Sequence, residues 1–513
     1  MNLAGVVASH AQRIGDKVAI IMGGRSLTYR QLADEGQAVA SGLAALSVKP
    51  GDRIIMFAEN VPEHFVVYQA AARLGAVFTP VHTSFKTREL GYAIANASPK
   101  IILTDPALLD LVRAAAEAAG QTPVFVLMSG TADGVRRYDE LQLAGSALAP
   151  VDLPPDHPAL ISYTSGTTSM PKPVKRSHGA EIWSAERYRE AWGFDESDRV
   201  LVVMSLGWVF GLCSLSQTAF AAGATVILER QFSPTATLTA FDRERITAFA
   251  GTMSMYAILL NVLRDRDFDT SSLRKLFLGG EPRNEAIVDE IEGRLGLRLC
   301  EGWALTETFP VLAVHPVRDR DAPRAVLGRL VEGVKLRLVD ENGRDVAPGE
   351  TGEAWISSPG SFLDYNGEPD LTVGRMSSDG WIRSGDLLRL DGQGYYTFVA
   401  RLGDLIIRGG TNISPSEVES AICTYPGIAD AVVVGLPDAT LGEVVVALFS
   451  TNIGEAPEIE AMRNFLHEHM AKYKVPTWMF HVSEMPSGTT GKKNRPAAKV
   501  WAAALIKNQL ASA

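Results

Sequence analysis

Short apolar runs alternate with helix-like patterns of apolar positions along most of the N-terminal part of the chain. The runs "DRIIMFAE" (52–59), "KIILTD" (100–105) and "RVLVVMSL" (199–206) have the length and composition of buried strands. Between such runs, "PEHFVVYQAAARLGA" and "PALLDLVRAAAEAAG" place apolar residues at helical spacing. This alternation predicts parallel α/β layers, which bind ligands at loops beyond the carboxyl ends of strands.

The pattern changes after about residue 325. The stretch "VKLRLVDENGRDVAPGETGEAWIS" has two strand-like runs around Asn342 and Gly343, a favoured hairpin turn, and predicts a small antiparallel sheet. From Leu402 onward, strand and helix patterns resume as a separate lobe. We therefore predict an α/β fold: a large N-terminal domain (1–400) of two α/β subdomains plus a small β subdomain, followed by a mobile C-terminal α+β lobe (401–513).

One uncharged segment, 206–228, is long enough to span a bilayer. It also contains Ser214, Ser216 and Gln217, and it ends in "GATVIL". This composition predicts a buried helix followed by a core strand. We expect no integral membrane segment and no signal peptide.

Composition limits the class of partner. Hydrophobic residues make up 46% of the chain and the formal net charge is −10, so we expect a globular protein with no nucleic-acid partner. The three cysteines have no CxxC spacing, which argues against a disulfide scaffold or a zinc site and indicates a cytoplasmic location. The oligomeric state stays open, with a homodimer among the alternatives.

The stretch "ISYTSGTTSMPK" (161–172) is the first candidate for chemistry. Its apolar run ends in a glycine surrounded by hydroxyl side chains, and Lys172 adds a point charge suited to phosphate. The spacing does not match GxxxxGK[ST], so a Walker-type nucleotide site is not supported. On these residues alone, such a run is more often a solvated polar loop than an ATP site.

Further stretches favour the phosphate-binding interpretation, because they resemble the motifs of a known family. "YTSGTTSMPK" resembles the phosphate loop of the adenylate-forming superfamily, which contains acyl- and aryl-CoA synthetases, peptide-synthetase adenylation domains and firefly luciferase. Five more motifs resemble those of the family in the same order: "GGEP" (279–282), "GWALTET" (302–308), "GWIRSGDL" (380–387), "ARLGDLIIRGGTNISPSEVE" (400–419) and "PSGTTGKKNR" (486–495). The chain resembles a stand-alone acid–CoA ligase most.

The resemblance implies an ATP site. Its phosphate contacts correspond to Thr164, Ser165, Gly166, Thr167, Thr168 and Lys172, with a catalytic part for Thr164. Its nucleoside contacts correspond to Gly280, Glu281, Pro282, Trp303, Thr306, Asp386 and Arg401. Asp386 would accept ribose hydroxyl hydrogen bonds. For Trp303, stacking on adenine and plain core packing both stay open, and Arg401 could instead pair across the lobes.

The resemblance also implies Mg²⁺ and coenzyme A. Glu307 would hold the metal through one carboxylate oxygen, with a solvated surface acid as the alternative. Lys492 would be the catalytic lysine, delivered to the developing charge at the moment of reaction. Arg408, Gly409 and Gly410 would line the coenzyme A tunnel, or form an ordinary turn before a helix capped by Ser414 or Ser416.

Several positions depart from the family pattern. Ser169 and Pro173 stand where glycines are usual in the phosphate loop, and Gly403 replaces a charged residue at the hinge. Ala304 replaces a glycine of the acyl pocket, and Trp208 stands where histidine is frequent. Ala304 and Trp208 argue against a long, open acyl tunnel, and "GGEP" resembles medium-chain and aryl-acid ligases more than long-chain ones, so the resemblance implies a medium-chain or aromatic acid.

The implied activity has two steps in one site. The acid is first activated by ATP as an acyl-adenylate with release of pyrophosphate, and the acyl group is then transferred to coenzyme A with release of AMP. Three alternatives stay open on the sequence alone: loading of a carrier-protein thiol, a reaction that stops at or oxidises the adenylate, and a non-catalytic acyl- or nucleotide-binding module.

Overall fold

The computed structural model of the protein describes residues 2–143, 148–164, 170–451, 456–486 and 493–512. These residues form the predicted mixed α/β fold, with a large N-terminal domain and a smaller C-terminal domain. Four β-sheets organise the described chain. Three of them contain only strands that end at or before Arg401, and the fourth contains only later strands.

The first sheet has nine strands among the described residues, and the run from Leu299–Leu305 to Val18–Met22 is parallel. Its central strands are buried on both faces, as expected where helices cover a parallel sheet. In spatial order the strands are Arg329–Leu330, Thr308–Ala313, Leu299–Leu305, Lys275–Leu278, Ala248–Gly251, Arg199–Val202, Thr225–Leu228, Val18–Met22 and Arg25–Thr28.

The second sheet has eight strands in the described chain and is parallel except at one end, where the hairpin that carries the "TSGTTSMPK" segment is antiparallel. In spatial order its strands are Asp364–Tyr365, Lys172–Ser177, Pro158–Thr164, Val77–Pro80, Arg53–Phe57, Ile101–Thr104, Val124–Leu127 and Arg136–Arg137. The apolar runs at 52–59, 100–105 and 199–206 therefore form strands, as predicted.

Helices cover both sheets. The helix Glu63–Leu74 is buried along nearly its whole length and belongs to the largest apolar cluster. The α-helices of the N-terminal domain are Ala4–Arg13, Tyr29–Ala45, Glu63–Leu74, Thr87–Ala97, Leu109–Ala118, His178–Trp192, Thr218–Ala221, Pro234–Arg243, Met253–Asp265, Glu285–Leu295 and Pro369–Arg375.

The uncharged segment 206–228 is helix followed by strand, as its composition predicts. A buried π-helical stretch, Phe210–Gln217, continues into the short helix Thr218–Ala221, and the buried strand Thr225–Leu228 follows. In the part of the chain that the structure describes, no helix combines the length and apolar character needed to cross a bilayer.

The third sheet is antiparallel and matches the predicted small β subdomain. Its strands are Lys335–Val339, Thr351–Ser357, Ile382–Leu390 and Tyr396–Arg401. The turn at Asn342 and Gly343 forms as predicted, with a positive φ of 75° at Gly343 and with both flanking amides donating to the Asp340 carboxylate. The return strand begins only at Thr351, so the sequence placed the turn correctly and underestimated the connection that follows.

The C-terminal lobe has its own core on each face of the fourth sheet. Every member of the two apolar clusters in this lobe follows residue 401, and the clusters of the preceding domain contain only earlier residues. The two domains thus have separate apolar cores, and the boundary at residue 401 stays a prediction. The strands are Thr411–Ile413, Ile406–Arg408, Gly442–Thr451, Ile428–Asp438 and Trp478–His481, and the α-helices are Pro415–Cys423, Ile459–His469 and Arg495–Ser512.

The three cysteines are free and buried. Burial raises the pKa of the Cys300 and Cys423 thiols to about 12, and it raises the pKa of Cys213 well above its usual value. These side chains behave as small apolar core residues, which agrees with the expectation that they form no disulfide scaffold.

Candidate active site

Three sheets converge on one group of side chains. Glu307 comes from a turn of the first sheet, Tyr365 from the edge strand of the second, and Asp386 from a strand of the third. Arg375 lies between them and contacts both Glu307 and the Ser384 carbonyl. The fold therefore brings together residues that are up to 79 positions apart, counted from Glu307 to Asp386.

Glu307 is a buried acid, so the alternative of a solvated surface residue is wrong. It sits in the tight turn between Leu299–Leu305 and Thr308–Ala313, and it is only 5% exposed. Its Oε1 accepts a hydrogen bond from the Tyr365 hydroxyl and lies 3.2 Å from Arg375 Nε. A buried carboxylate with one cationic and one neutral partner is held in a fixed orientation.

The residues around Glu307 fit a metal ion only if a bound nucleotide supplies further coordinating atoms. Among the described residues, no group of three or more histidine, cysteine, aspartate or glutamate side chains could hold a metal ion. Mg²⁺ is commonly held by one or two carboxylates together with substrate phosphates and waters, so a single glutamate suits a metal that arrives with a nucleotide. In this structure Arg375 contacts the same carboxylate.

Asp386 and Trp303 hold each other in place. Trp303 Nε1 donates a hydrogen bond of 2.9 Å to Asp386 Oδ2, and Arg401 Nε lies 3.3 Å from Asp386 Oδ1. Burial raises the pKa of Asp386 above its ordinary value, while Arg401 and the indole N–H oppose that shift. Each carboxylate oxygen retains a lone pair for a further donor, so the arrangement is compatible with the predicted ribose contact. Arg401 pairs with the adjacent strand rather than across the lobes.

The phosphate-loop hairpin approaches Glu307 through Tyr365. Thr164 and Lys172 form the last register pair of the hairpin, and Lys172 Nζ lies 5.7 Å from the centroid of the Tyr365 ring. The hairpin thus directs a lysine toward the group that contains the acid. The predicted phosphate contacts Ser165, Gly166, Thr167 and Thr168, and the departure Ser169, lie outside the described residues.

The "GGEP" turn follows the buried strand Lys275–Leu278, as its predicted position requires. Gly280 has a positive φ of 80°, and Pro282 is exposed. The Glu281 carboxylate accepts hydrogen bonds from the Ser254 amide at 2.7 Å and from the Ser254 hydroxyl at 2.9 Å. Glu281 therefore binds the first turn of the helix Met253–Asp265, a stabilising position for an acid, and its nucleotide role stays a prediction.

The two residues predicted for the acyl pocket lie in different apolar clusters. The Trp208 ring stacks on His82, with 4.8 Å between centroids, and Phe85 packs against its edge at 6.1 Å. Burial lowers the pKa of His82 to about 4, so the imidazole is neutral near pH 7. Ala304 is half-buried beside Trp303 at the margin of the largest cluster. His82 carries no motif and was not identified from the sequence.

The hinge segment has free space at Gly403. This glycine lies in the short 3₁₀ turn Leu402–Asp404, and among the described residues no atom beyond its chain neighbours lies within 4 Å of where a Cβ would be. The next residue, Asp404, pairs with Arg495 Nε at 3.2 Å, and Arg495 also pairs with Glu419. A carboxylate next to Gly403 therefore links this segment to the last helix of the C-terminal lobe.

The segment "RGGT" forms a tight hairpin. Gly409 and Gly410 have φ values of 56° and 79°, the pair of positive values that a two-residue hairpin turn requires. Arg408 Nη1 donates to the Tyr473 carbonyl at 2.7 Å, so it is anchored within the lobe. Ser414 accepts from the Glu417 amide as helix cap and donates to the Val399 carbonyl at 2.6 Å across the domain boundary. The ordinary-turn interpretation is thus correct, and it leaves the coenzyme A role as a prediction.

The predicted catalytic Lys492 lies outside the described residues, and its neighbour Lys493 lies within them. Lys493 Nζ lies 2.8 Å from Asp430 Oδ1 and donates to the Ala431 carbonyl at 2.6 Å. Burial opposes the charge of Lys493, yet Glu419 and Asp430 raise its pKa above the ordinary value. The Lys493 ammonium is therefore bound by an ion pair and a hydrogen bond within the C-terminal lobe.

A buried ion pair fixes the strand that leaves the phosphate loop. Arg176 and Glu181 are 0% and 1% exposed and are bound through Arg176 Nε. Arg176 also donates to the Gly360 carbonyl at 2.8 Å, and its guanidinium lies 3.6 Å from the centroid of the Phe309 ring. Because Phe309 is two residues from Glu307, this contact ties the phosphate-loop strand to the acid's own segment.

Comparison with known proteins covers nearly the whole chain. The family profile described as AMP-binding enzyme matches residues 7–366, and the profile described as AMP-binding enzyme C-terminal domain matches residues 417–492. A feruloyl-CoA synthase of Amycolatopsis sp is 33% identical over 479 residues, which cover 92% of this chain and 94% of that protein. An indoleacetate–CoA ligase of Aromatoleum aromaticum is 32% identical over 494 residues, 96% of each chain.

A solved structure gives the same result for the fold. The structure described as the anthranilate CoA ligase AuaEII in complex with anthranoyl-AMP superimposes with a TM-score of 0.92 at 25% sequence identity. The match covers 98% of this chain and 98% of that chain, so both domains take part in it.

Proposed function

The chain belongs to the AMP-binding enzyme family and is an AMP-forming, ATP-dependent acid–CoA ligase, and from this premise we propose that its acid substrate carries an aromatic ring. The stacked pair of Trp208 and His82 carries the proposal, because two flat rings offer a wall that suits a third. The names of the feruloyl-CoA and indoleacetate–CoA relatives support it. A medium-chain acid is the second candidate.

In the first step the acid's carboxylate attacks the α-phosphorus of ATP, and the bond to pyrophosphate breaks. Asp386 and Trp303 position the nucleoside, while Thr164 and Lys172 hold the β- and γ-phosphates together with the rest of the loop. Lys492 stabilises the charge that develops on the α-phosphate. A Mg²⁺ ion held by Glu307 would neutralise phosphate charge.

In the second step the thiol of coenzyme A attacks the acyl carbonyl, the thioester bond forms, and AMP leaves with the electron pair of the broken mixed-anhydride bond. We assign the hairpin at Gly409 and Gly410 to the thiol channel, which requires the C-terminal lobe to turn about Gly403. The open space around Gly403 and the separate cores of the two domains support such a movement.

The test compares acids that differ only in ring flatness. Each aromatic acid is paired with its ring-saturated counterpart, straight medium-chain acids are included, and pyrophosphate, AMP and thioester are measured with and without coenzyme A. We expect kcat/KM for the aromatic member to exceed that of its saturated partner by about tenfold, the scale of an aromatic contact. Preference for straight chains would favour the second candidate. If thioester forms only on a carrier protein, the acceptor is the carrier-protein thiol and not coenzyme A.

Trp208→Ala should reduce this discrimination by removing the flat wall. We expect the ratio of kcat/KM for the aromatic and ring-saturated acids to fall by about three- to tenfold. Trp501→Ala is the matched control, because Trp501 is 41% exposed on the last helix of the other lobe. An unchanged ratio in Trp208→Ala would remove this residue from the acid pocket.

A further inference from the structure

Arg375 holds a central place among the acids of the candidate site. It is the last residue of the helix Pro369–Arg375, and its side chain is 22% exposed. Its Nε lies 3.2 Å from Glu307 Oε1, and its Nη1 donates to the Ser384 carbonyl at 3.0 Å. Its charge also acts on Asp386, whose carboxyl pKa it helps to lower against the effect of burial.

A cation beside Glu307 has a physical reason. A carboxylate with 5% exposure is strongly destabilised when it has no counter-charge. The Tyr365 hydroxyl that binds the same oxygen is neutral. The positive charge of Arg375 therefore stabilises the ionised, correctly oriented Glu307 in the absence of other cations.

The contact between Arg375 and Glu307 can break while Arg375 keeps its other contact. The Arg375 Nε–H is not aligned for a hydrogen bond, so its attraction to Glu307 is that of an ion pair alone. The separate hydrogen bond to Ser384 holds the guanidinium independently of Glu307. Arg375 can thus give up the acid and keep its position.

We propose that Arg375 occupies the metal side of Glu307 in the nucleotide-free enzyme and is exchanged there for the metal ion when the metal–nucleotide complex binds. After the exchange, the guanidinium stays on the Ser384 carbonyl. A free divalent cation must compete with this internal charge and lacks the phosphate ligands, so the exchange favours the metal that arrives with a nucleotide. The inference rests on the proposed assignment of Glu307 as the metal-holding acid.

The test measures ATP binding by calorimetry without acid or coenzyme A, so that no turnover occurs. The measured factor is the dissociation constant of ATP without Mg²⁺ divided by the dissociation constant with Mg²⁺. In Arg375→Met the ion pair no longer has to be broken, so this factor should rise by about tenfold. Arg375→Lys keeps a positive charge and should stay within about twofold of the wild type. Arg389→Met, a change at an exposed arginine of the third sheet, controls for net charge.

The outcomes separate this inference from the function on which it rests. A larger factor in Arg375→Met that comes from tighter binding of the Mg²⁺–ATP complex, with wild-type behaviour in the other two variants, supports the exchange. An unchanged factor would make Arg375 a structural brace, and a larger factor that comes only from weaker metal-free ATP binding would make it a phosphate contact; either result overturns the exchange. If no variant and no wild-type protein binds ATP, the proposed function itself fails. Thermal unfolding of each variant checks that the site is folded.

Discussion

Lys492→Ala should slow adenylate formation by about 100- to 1,000-fold, the scale seen when one preorganised group is removed from a developing charge. Thioester formation from a supplied acyl-adenylate should be nearly unaffected, because the lobe movement proposed for the second step withdraws Lys492 from the α-phosphate. ATP–pyrophosphate exchange measures the first step, and the consumption of synthetic acyl-adenylate in the presence of coenzyme A measures the second.

Lys493→Met provides the matched control one residue away. Lys493 Nζ is bound to Asp430 and to the Ala431 carbonyl, so its loss should lower the stability of the C-terminal lobe. At a temperature where the lobe stays folded, the adenylation rate should remain within about threefold of the wild type, because the contacts of Lys493 lie within the C-terminal lobe. Equal losses in both half-reactions for Lys492→Ala would contradict a lysine that serves the first step alone.

Arg176→Met should destabilise the N-terminal domain by about 3–5 kcal/mol, the typical cost of leaving one partner of a buried ion pair uncompensated. Glu181 would then be a 1% exposed carboxylate with neutral partners such as the Tyr68 hydroxyl at 3.4 Å. The Gly360 carbonyl would lose its hydrogen bond as well. Denaturant unfolding of the purified protein measures the free energy of unfolding.

The double variant Arg176→Met/Glu181→Met separates a buried charge from lost packing. Replacing both partners by apolar residues removes the uncompensated carboxylate, so much of the stability should return. A double variant as unstable as the single one would mean that the guanidinium acts through its hydrogen bonds to Gly360 and Ser184 and its contact with the Phe309 ring rather than through Glu181.

Sequence and structure agree best where a local pattern suffices. The strand at Arg53–Phe57 and the helix at Glu63–Leu74 follow from short runs of apolar positions, and the turn at Gly343 follows from its dipeptide. Membership of the adenylate-forming family is confirmed by the two family profiles. In each case neighbouring residues hold the information.

The candidate site also depends on contacts that no local pattern encodes. Tyr365 and Arg375 reach Glu307 from 58 and 68 residues away, and neither lies in a stretch that was assigned a role. The bond from the Trp303 indole to Asp386 spans 83 positions between two sheets. Likewise, the cap that Glu281 forms on the helix Met253–Asp265 is a tertiary contact that its motif does not encode. Such contacts become visible only once the sheets are assembled.

The buried cysteines make this protein a convenient subject for spectroscopy. Because all three native thiols are shielded and their pKa values are raised, maleimide reagents at neutral pH should leave them unmodified. Single cysteines introduced at exposed positions such as Arg389 and Lys507 would then accept a donor and an acceptor dye selectively. Energy transfer between the dyes would report the separation of the two lobes in individual molecules during turnover.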